Sequence, residues 1–538
     1  MKLEFFGAAR TVTGSCHMLT WAGGKLLVDC GMRQGEDAMG IYGEDTFPFD
    51  PKEIKAVLLT HAHIDHSGLL PLLVKRGFSG TILTTEATAQ LATIMLPDSA
   101  HIQMQEAEWQ TRKNLRAGRK PAEPLYDLED VQQTLKLFRG VCYDETIQLF
   151  PDIRVRLKDI GHLLGSAAIE IWAQEEGKTT KVVFSGDVGR DDRPIIQDPE
   201  EVDDADYLVL EGTYGDRVHE LSTDADKEAE LANIIRSALA RGGNLVIPSF
   251  AVGRTQELLY YIKRILKKGI LPELANVPVY IDSPLGIEAT KVYERCAKGY
   301  YDEEATEMAK DGSLFEFPTL RVAQTADESR LINDTKGSKI IISSSGMADA
   351  GRIRHHLKHN LYRADSTVLF AGYQAQGTLG RALVDGAKKV KLFGEEVRIN
   401  AAIVQIDGFS GHAGKDELIE WVQGISPKPR KVILVHGEEE ALSSLEKELQ
   451  ALGYSTLVPD LGDNYELTKD ETQAAVVPAP EVVDVKTKAR GYKIQEQLVL
   501  LQAIIARSIE RRSPDMELKL SLLEADVRSL VNKWDDLI

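Results

Sequence analysis

Cysteine is scarce. Cys16, Cys30, Cys142 and Cys296 are the only four in 538 residues, they lie far apart, and none forms a CxxC pair. That excludes a disulfide frame and a thiolate zinc site, and it fits reduced thiols in a cytoplasmic protein. No stretch approaches the roughly 20 uncharged apolar residues that a membrane span needs. Residues 1–10 lack the basic start and apolar run of a signal peptide. Internal repeats and low-complexity tracts are absent. Positive charge is also short, with 64 Lys and Arg against 83 Asp and Glu and a net charge of −19. Taken alone, this argues against a nucleic-acid partner, because phosphate binding is driven by Lys and Arg. A local basic cleft on an acidic protein escapes the objection, and some of the carboxylates are of a kind that binds metal.

What is present is an ordinary globular composition, 43% hydrophobic and 27% charged, in a chain too long for one core. Short β-type runs at 25–29, 56–60, 81–84, 182–185 and 207–210 alternate with helical segments, 67–75 among them. Such alternation predicts an α/β layered domain. Residues 97–138 are polar and are expected to be mostly helical, crossing the outside of the sheet. A second α/β block has strands at 244–248, 279–282, 339–343 and 367–371, with a helix starting near Thr255. From about Val397 the first pattern resumes, with strands at 401–406 and 431–435. The expected division is therefore 1–215 and 391–477 for a first domain, 216–390 for an insertion into it, and 481–538 for a C-terminal extension. Pro478-Ala479-Pro480 marks the linker to that extension. Beyond it, Ile494, Leu498, Leu501, Ile505 and Ile509 line one helix face, and Met516, Leu520, Leu523, Val527, Leu530, Trp534 and Leu537 keep 4-3 spacing. Two readings stay open: a helical hairpin packed on its own domain, or an element for homodimerisation or partner docking.

The segment His61-Ala62-His63-Ile64-Asp65-His66 carries the chemistry. Three imidazoles and a carboxylate are nitrogen and oxygen ligands suited to zinc. Only 12 of 538 residues are His, so this pattern arises by chance on the order of once in a few thousand such chains. Four other loops carry a polar residue at or beside a strand end with glycine nearby, which permits close backbone approach. They are Asp29 in Leu27-Val28-Asp29-Cys30-Gly31, His162 in Gly161-His162-Leu163-Leu164-Gly165, Asp187 in Ser185-Gly186-Asp187, and His436 in Val435-His436-Gly437.

With these motifs in this order over roughly residues 1–470, the chain resembles the metallo-β-lactamase fold and, within it, the β-CASP ribonucleases. That group includes RNase J and the cleavage-and-polyadenylation endonuclease subunit. The resemblance implies an αββα sandwich with an inserted α/β β-CASP domain. It implies two zinc ions per chain, with manganese as the alternative. His61, His63 and His162 match ligands of one ion, Asp65, His66 and His436 match ligands of the other, and Asp187 matches the bridging carboxylate. Asp29 matches an orienting residue behind them. Glu211, in Glu211-Gly212-Thr213-Tyr214-Gly215, is similar to the family's acidic motif, although Gly212 stands where serine is usual. His412, in Gly411-His412-Ala413, matches the family's next histidine. Asp65, Asp187, Glu211 and His412 are the expected catalytic set, with His412 donating a proton to the leaving oxygen. Histidine at 436 favours RNA over DNA.

The implied reaction is attack on phosphorus by a hydroxide held between two ions about 3.5–4 Å apart. Ser249, Arg254, Ser344, Ser345, Gly346, Gly351 and Arg352 lie in loops that look like β-CASP phosphate contacts. Arg354, His355, His356, Lys358 and His359 are expected either to add positive potential or to form a solvated helix face. Phe250 and Tyr373 are candidates for base stacking on single-stranded RNA. The competing readings are a thioester or lactone hydrolase of the same fold and a non-catalytic scaffold. Endonuclease and 5′-exonuclease action are not separated, because both use the same ions.

Overall fold

The computed structural model describes residues 1–33, 46–219, 223–406, 408–467 and 476–477. The expected C-terminal helices, and the dimer built on them, lie outside the described residues. Among the described residues, no helix is long and apolar enough to cross a membrane.

Two sheets form the first domain. One has eight strands, in the order Val476–Val477, Asn464–Glu466, Lys2–Phe5, His17–Trp21, Gly24–Val28, Ile54–Leu58, Thr81–Thr85 and Phe138–Val141. The other has seven, in the order Thr456–Leu457, Lys431–Val435, Tyr207–Glu211, Lys178–Phe184, Ala167–Glu175, Ile153–Asp159 and Ile147–Phe150. Successive side chains of a strand point to opposite faces, and that alternation assigns the layers. Leu26, Val28 and Leu58 of the first sheet share one core with Val209, Ile433 and Val435 of the second. Leu27 and Val57 face the other way, onto Leu70 and Leu73 of the helix Leu70–Lys75. Leu208, Leu210, Val432 and Leu434 likewise face outward, onto Leu418, Trp421, Leu442 and Leu445 of two helices. The result is the αββα sandwich.

The inserted domain is a six-stranded parallel sheet, ordered Leu320–Val322, Val279–Asp282, Ile340–Ser343, Leu245–Pro248, Thr367–Ala371 and Ala402–Ile406. Its strands are apolar on both faces. Leu245, Ile247, Ile340 and Ile342 enter one core, while Val246, Ile341, Val368 and Phe370 enter another. Parallel sheets covered by helices on both sides read this way.

Three expectations are corrected. The strand Ala402–Ile406, expected in the first domain, pairs in parallel with Thr367–Ala371 of the inserted sheet. The segment expected as one helix over 67–75 is two helices, Ile64–Ser67 and Leu70–Lys75, so Asp65 and His66 sit on a helical turn. The polar helical segment begins earlier, at Glu86, capped by Thr85 Oγ1 accepting from Thr88 N at 3.2 Å, and runs past Pro97 to Arg116. It does more than cross the sheet: Ala87, Leu91 and Met95 pack into the core of the inserted domain.

Candidate metal centre and active site

The carboxyl ends of parallel strands from both sheets converge, and there the singled-out residues meet. Asp29 follows Gly24–Val28, and His61 to His66 follow the neighbouring strand Ile54–Leu58. Asp187, Glu211 and His436 end or follow three adjacent parallel strands of the other sheet. The approach is close enough to dictate residue type. A Cβ on Gly31 would stand 1.6 Å from the Asp65 carbonyl oxygen, so only glycine lets Cys30 N donate to His66 O at 2.8 Å.

His61 Nε2 lies 3.0 Å from His63 Nδ1, and His162 Nε2 lies 3.3 Å from that same nitrogen. Asp187 Oδ2 is 3.5 Å from His61 Nε2 and 3.6 Å from His162 Nε2. These four residues present one ligand atom each, all within 4.8 Å of one another. Asp65, His66 and His436 form a second such group. Asp187 Oδ1 faces it, 3.2 Å from His66 Nε2 and 3.7 Å from His436 Nδ1. Asp187 therefore stands between the two groups with one oxygen toward each.

The rings are oriented from behind. Asp29 Oδ2 lies 2.7 Å from His66 Nδ1, and its Oδ1 accepts from Thr60 N at 2.8 Å. Thr60 Oγ1 lies 3.1 Å from His61 Nδ1, and Gly411 O lies 3.0 Å from His162 Nδ1. In each case the second nitrogen is left for the cluster, as in carboxylate–histidine–metal arrangements. Burial and neighbouring histidines hold His61 and His162 below the ordinary histidine range, which keeps them neutral as ligands must be. Burial opposes the charge on Asp187, but the surrounding histidines outweigh it and hold the carboxyl well below its usual range. Asp187 Oδ1 is nevertheless buried with no hydrogen-bond partner. An orphaned buried carboxylate oxygen ringed by imidazole nitrogens is a donor set for cations, and the residues present fit two ions.

Glu211 is buried beside them. Its Oε1 accepts from Val188 N at 2.7 Å and lies 3.1 Å from His412 Nδ1, while Oε2 accepts from Thr213 N at 3.1 Å. Burial opposes a charge on His412, but Glu211 and then Asp187 outweigh it and raise the ring's pKa to about 9. Gly212 has a packing reason. A Cβ there would stand 2.6 Å from Leu442 Cδ2, in the position a serine would need. Gly212→Ser should cost on the order of 1 kcal/mol by overpacking. A shift in the urea midpoint checks this, and Leu442→Val in the same chain should recover most of it.

The expected phosphate loops divide. Ser345 and the Phe250 ring are accessible, and Gly346 lies under that ring, where a Cβ would stand 2.8 Å from Phe250 Cδ2. Gly351, with φ +76°, closes onto the Ser344 carbonyl. Arg254 lies against the Phe409 ring at 5.2 Å. Ser249 is corrected: it is buried, and its hydroxyl is 3.1 Å from Thr255 Oγ1 and donates to Phe250 O at 3.2 Å. Ser344 Oγ is likewise 2.7 Å from Ser283 Oγ. Arg352 is spent internally, donating to Asp282 Oδ1 at 2.7 Å and to the carbonyls of Ala323 and Gln324 at 3.0 and 2.7 Å. His356 is buried between Asp282 Oδ2 at 2.6 Å and Asn333 Oδ1 at 3.0 Å, and Lys358 pairs with Glu395. His356 is thus withdrawn from the surface, and Lys358 has an acidic partner. Sequence reasoning passed over Thr60 and Thr213, whose places beside His61 and Glu211 were a usable signal. It also passed over Arg193 and Glu257, which have no local motif.

Comparison with known proteins identifies the family. Residues 10–132 match the metallo-beta-lactamase superfamily, 255–383 match the Beta-Casp domain, and 396–459 match the Zn-dependent metallo-hydrolase RNA specificity domain. The chain is 37% identical to Ribonuclease TTHA0252 of Thermus thermophilus, over 86% of this chain and 99% of that one. It is 30% identical to an RNase J-like protein of Methanocaldococcus jannaschii, over 86% and 98%. It is 33% identical to transcription termination factor FttA of Methanothermobacter thermautotrophicus, over 81% of this chain and 67% of that one. The chain belongs to the β-CASP family of metallo-β-lactamase-fold ribonucleases.

Proposed function

We propose that this protein is a metal-dependent ribonuclease that hydrolyses phosphodiester bonds of single-stranded RNA, with two zinc ions per chain. The observation that carries the reading is Asp187 standing between two ligand groups with the His412–Glu211 pair alongside. His61, His63, His162 and Asp187 would hold one ion, and Asp65, His66, His436 and Asp187 the other. Ions bound there supply charge neutralisation for a phosphate oxygen and a water of lowered pKa. The chain's own groups do the rest. Asp29, Thr60 and the Gly411 carbonyl fix the tautomers of His66, His61 and His162. Glu211 holds His412 through Nδ1, leaving Nε2 to protonate the departing oxygen as general acid. Arg254 at the domain junction and the exposed Phe250 and Tyr373 are the groups suited to grip a phosphate and stack a base. Relatives named as ribonucleases, together with the matched RNA specificity domain, support RNA over a thioester or lactone substrate.

His412→Ala should keep its zinc while losing turnover by about 10²–10⁴-fold, the usual worth of a general acid. Elemental analysis beside an RNA cleavage assay reads both, and unchanged turnover removes His412 from that role. Zinc-loaded protein given 5′-phosphorylated, 5′-blocked and circular RNA tests the whole reading. Cleavage of the circle identifies an endonuclease, and cleavage of none of the three sinks the proposal.

A further inference from the structure

A buried line of charge joins the inserted domain to the catalytic loops, and two of its members, Arg193 and Glu257, have no part in the reaction above. Arg193 lies on the loop after Asp187. Its Nε and Nη2 donate to Glu257 Oε1 at 3.1 and 2.7 Å. Its Nη1 donates to the carbonyls of Gly161 and Gly411, at 3.3 and 3.4 Å, and to that of His162. Glu257 sits on the first turn of the helix Arg254–Lys268 of the inserted domain, and its Oε2 accepts from Arg254 Nη1. The side chains of Arg193 and Glu257 are 7% and 6% exposed, and that of Arg254 is 12% exposed.

Two features give this line a direction. The carbonyls held by Arg193 belong to the loops that carry His162 and His412, and His162 Nδ1 bonds the same Gly411 carbonyl at 3.0 Å. One side chain thus fixes the backbone beneath a candidate ligand and beside the candidate acid. At the other end the charges do not balance. Two guanidiniums share one carboxylate, and Arg254 Nε is buried without a hydrogen-bond partner. A buried cation short of acceptors is costly until an anion reaches it. A phosphate seated at Arg254 would relieve that cost.

We propose that Arg193 and Glu257 are positioning residues that couple the seating of an RNA phosphate on the inserted domain to the placement of His162 and His412. The inference rests on the ribonuclease reading for its substrate, but not for its geometry. Neither residue touches the reacting atoms. Glu257→Gln keeps the shape and removes the charge that holds both arginines. Arg193→Lys keeps the charge and cannot serve a carboxylate and three carbonyls at once.

The test uses full-length, zinc-loaded protein, the two single variants and the double variant. Hydrogen exchange is read at residues 160–165 and 409–413, together with zinc per chain, the unfolding midpoint, and kcat and KM on a single-stranded RNA oligonucleotide. In Glu257→Gln, with zinc retained, amides of both loops should exchange about tenfold faster or more, since local opening is freed while the fold stands. kcat should fall about tenfold, and the double variant should fall no further than Arg193→Lys, because residues acting as one unit are not additive. Wild-type exchange in both loops of Glu257→Gln, additive losses, or a kcat loss that follows zinc or folded fraction would each overturn the proposal. A wild-type protein that cleaves no RNA removes the ribonuclease reading alone, and the exchange contrast still decides the positioning role.

Discussion

Dialysis against a strong chelator should abolish RNA cleavage and lower the unfolding temperature, and zinc should restore both. The two effects share a cause. Asp187 Oδ1 is buried without a hydrogen-bond partner among imidazoles that lie 3.2 to 3.7 Å away, a donor set suited to a cation. An ion that binds the folded state alone stabilises it by about 2.7 kcal/mol when free zinc is 100 times its Kd. Because an ion at a scissile phosphate contributes several kcal/mol to the transition state, its loss lowers the rate by on the order of 10³-fold or more. Asp187→Asn should approach the same loss with zinc present, since one residue serves both groups. Elemental analysis, a thermal melt and an RNA assay on the same samples read all three quantities. Cleavage that survives chelation would remove metal from the reaction.

Asp282→Ala should destabilise the inserted domain by roughly 3–5 kcal/mol, the cost of leaving buried charge without its partner. Asp282 ends the strand Val279–Asp282 and binds Arg352, His356 and Ser329, so it ties two helices to the sheet. Burial works against its charge, but His356, Ser329 and Arg352 outweigh burial and hold the carboxyl below its ordinary value. A carboxylate with a depressed folded pKa contributes stability that is fully present above about pH 4. That contribution is lost as pH falls through the folded value. Urea unfolding of Asp282→Ala and wild type at neutral pH measures the difference, and a loss under about 0.5 kcal/mol would class the node with ordinary surface sites. Arg352→Ala decides between the two roles considered for that arginine. A structural donor loses stability with KM little changed, whereas a phosphate clamp would raise KM and leave stability intact.

The site was more legible than the fold around it. His61 to His66 stand in one contiguous segment, so their chemistry needs no tertiary information to be noticed. Asp29, Asp187 and His436 could be picked out because each sits at a strand end, and strand ends announce themselves through short apolar runs closed by glycine. The same runs were silent about neighbours. Residues 401–406 read as a strand of the first domain, yet Ala402–Ile406 pairs within the inserted sheet. An apolar run shows that a face will be buried and leaves open which strand lies beside it. Four strands between residues 138 and 175 went unread, and in the last of them Glu170 and Trp172 interrupt the apolar pattern. Glu170 is buried because Lys181 Nζ lies 2.7 Å away and Arg156 also pairs with it, a compensation no local pattern reveals.

By itself, the sequence determined that this chain carries a histidine- and aspartate-rich metal segment in an α/β frame with a second α/β block inserted. Those facts reside in residue type, spacing and periodicity. The tertiary structure alone decided how the polar residues of the insertion are used. Ser249 and Arg352 look like surface phosphate contacts on paper and His356 like part of a basic helix face, but each is bonded inside the domain. Arg193 and Glu257 carry no motif, and they meet across 64 positions of sequence. A hydrogen-bonding side chain is free or engaged according to partners brought by distant strands, and the chain must fold before those partners exist.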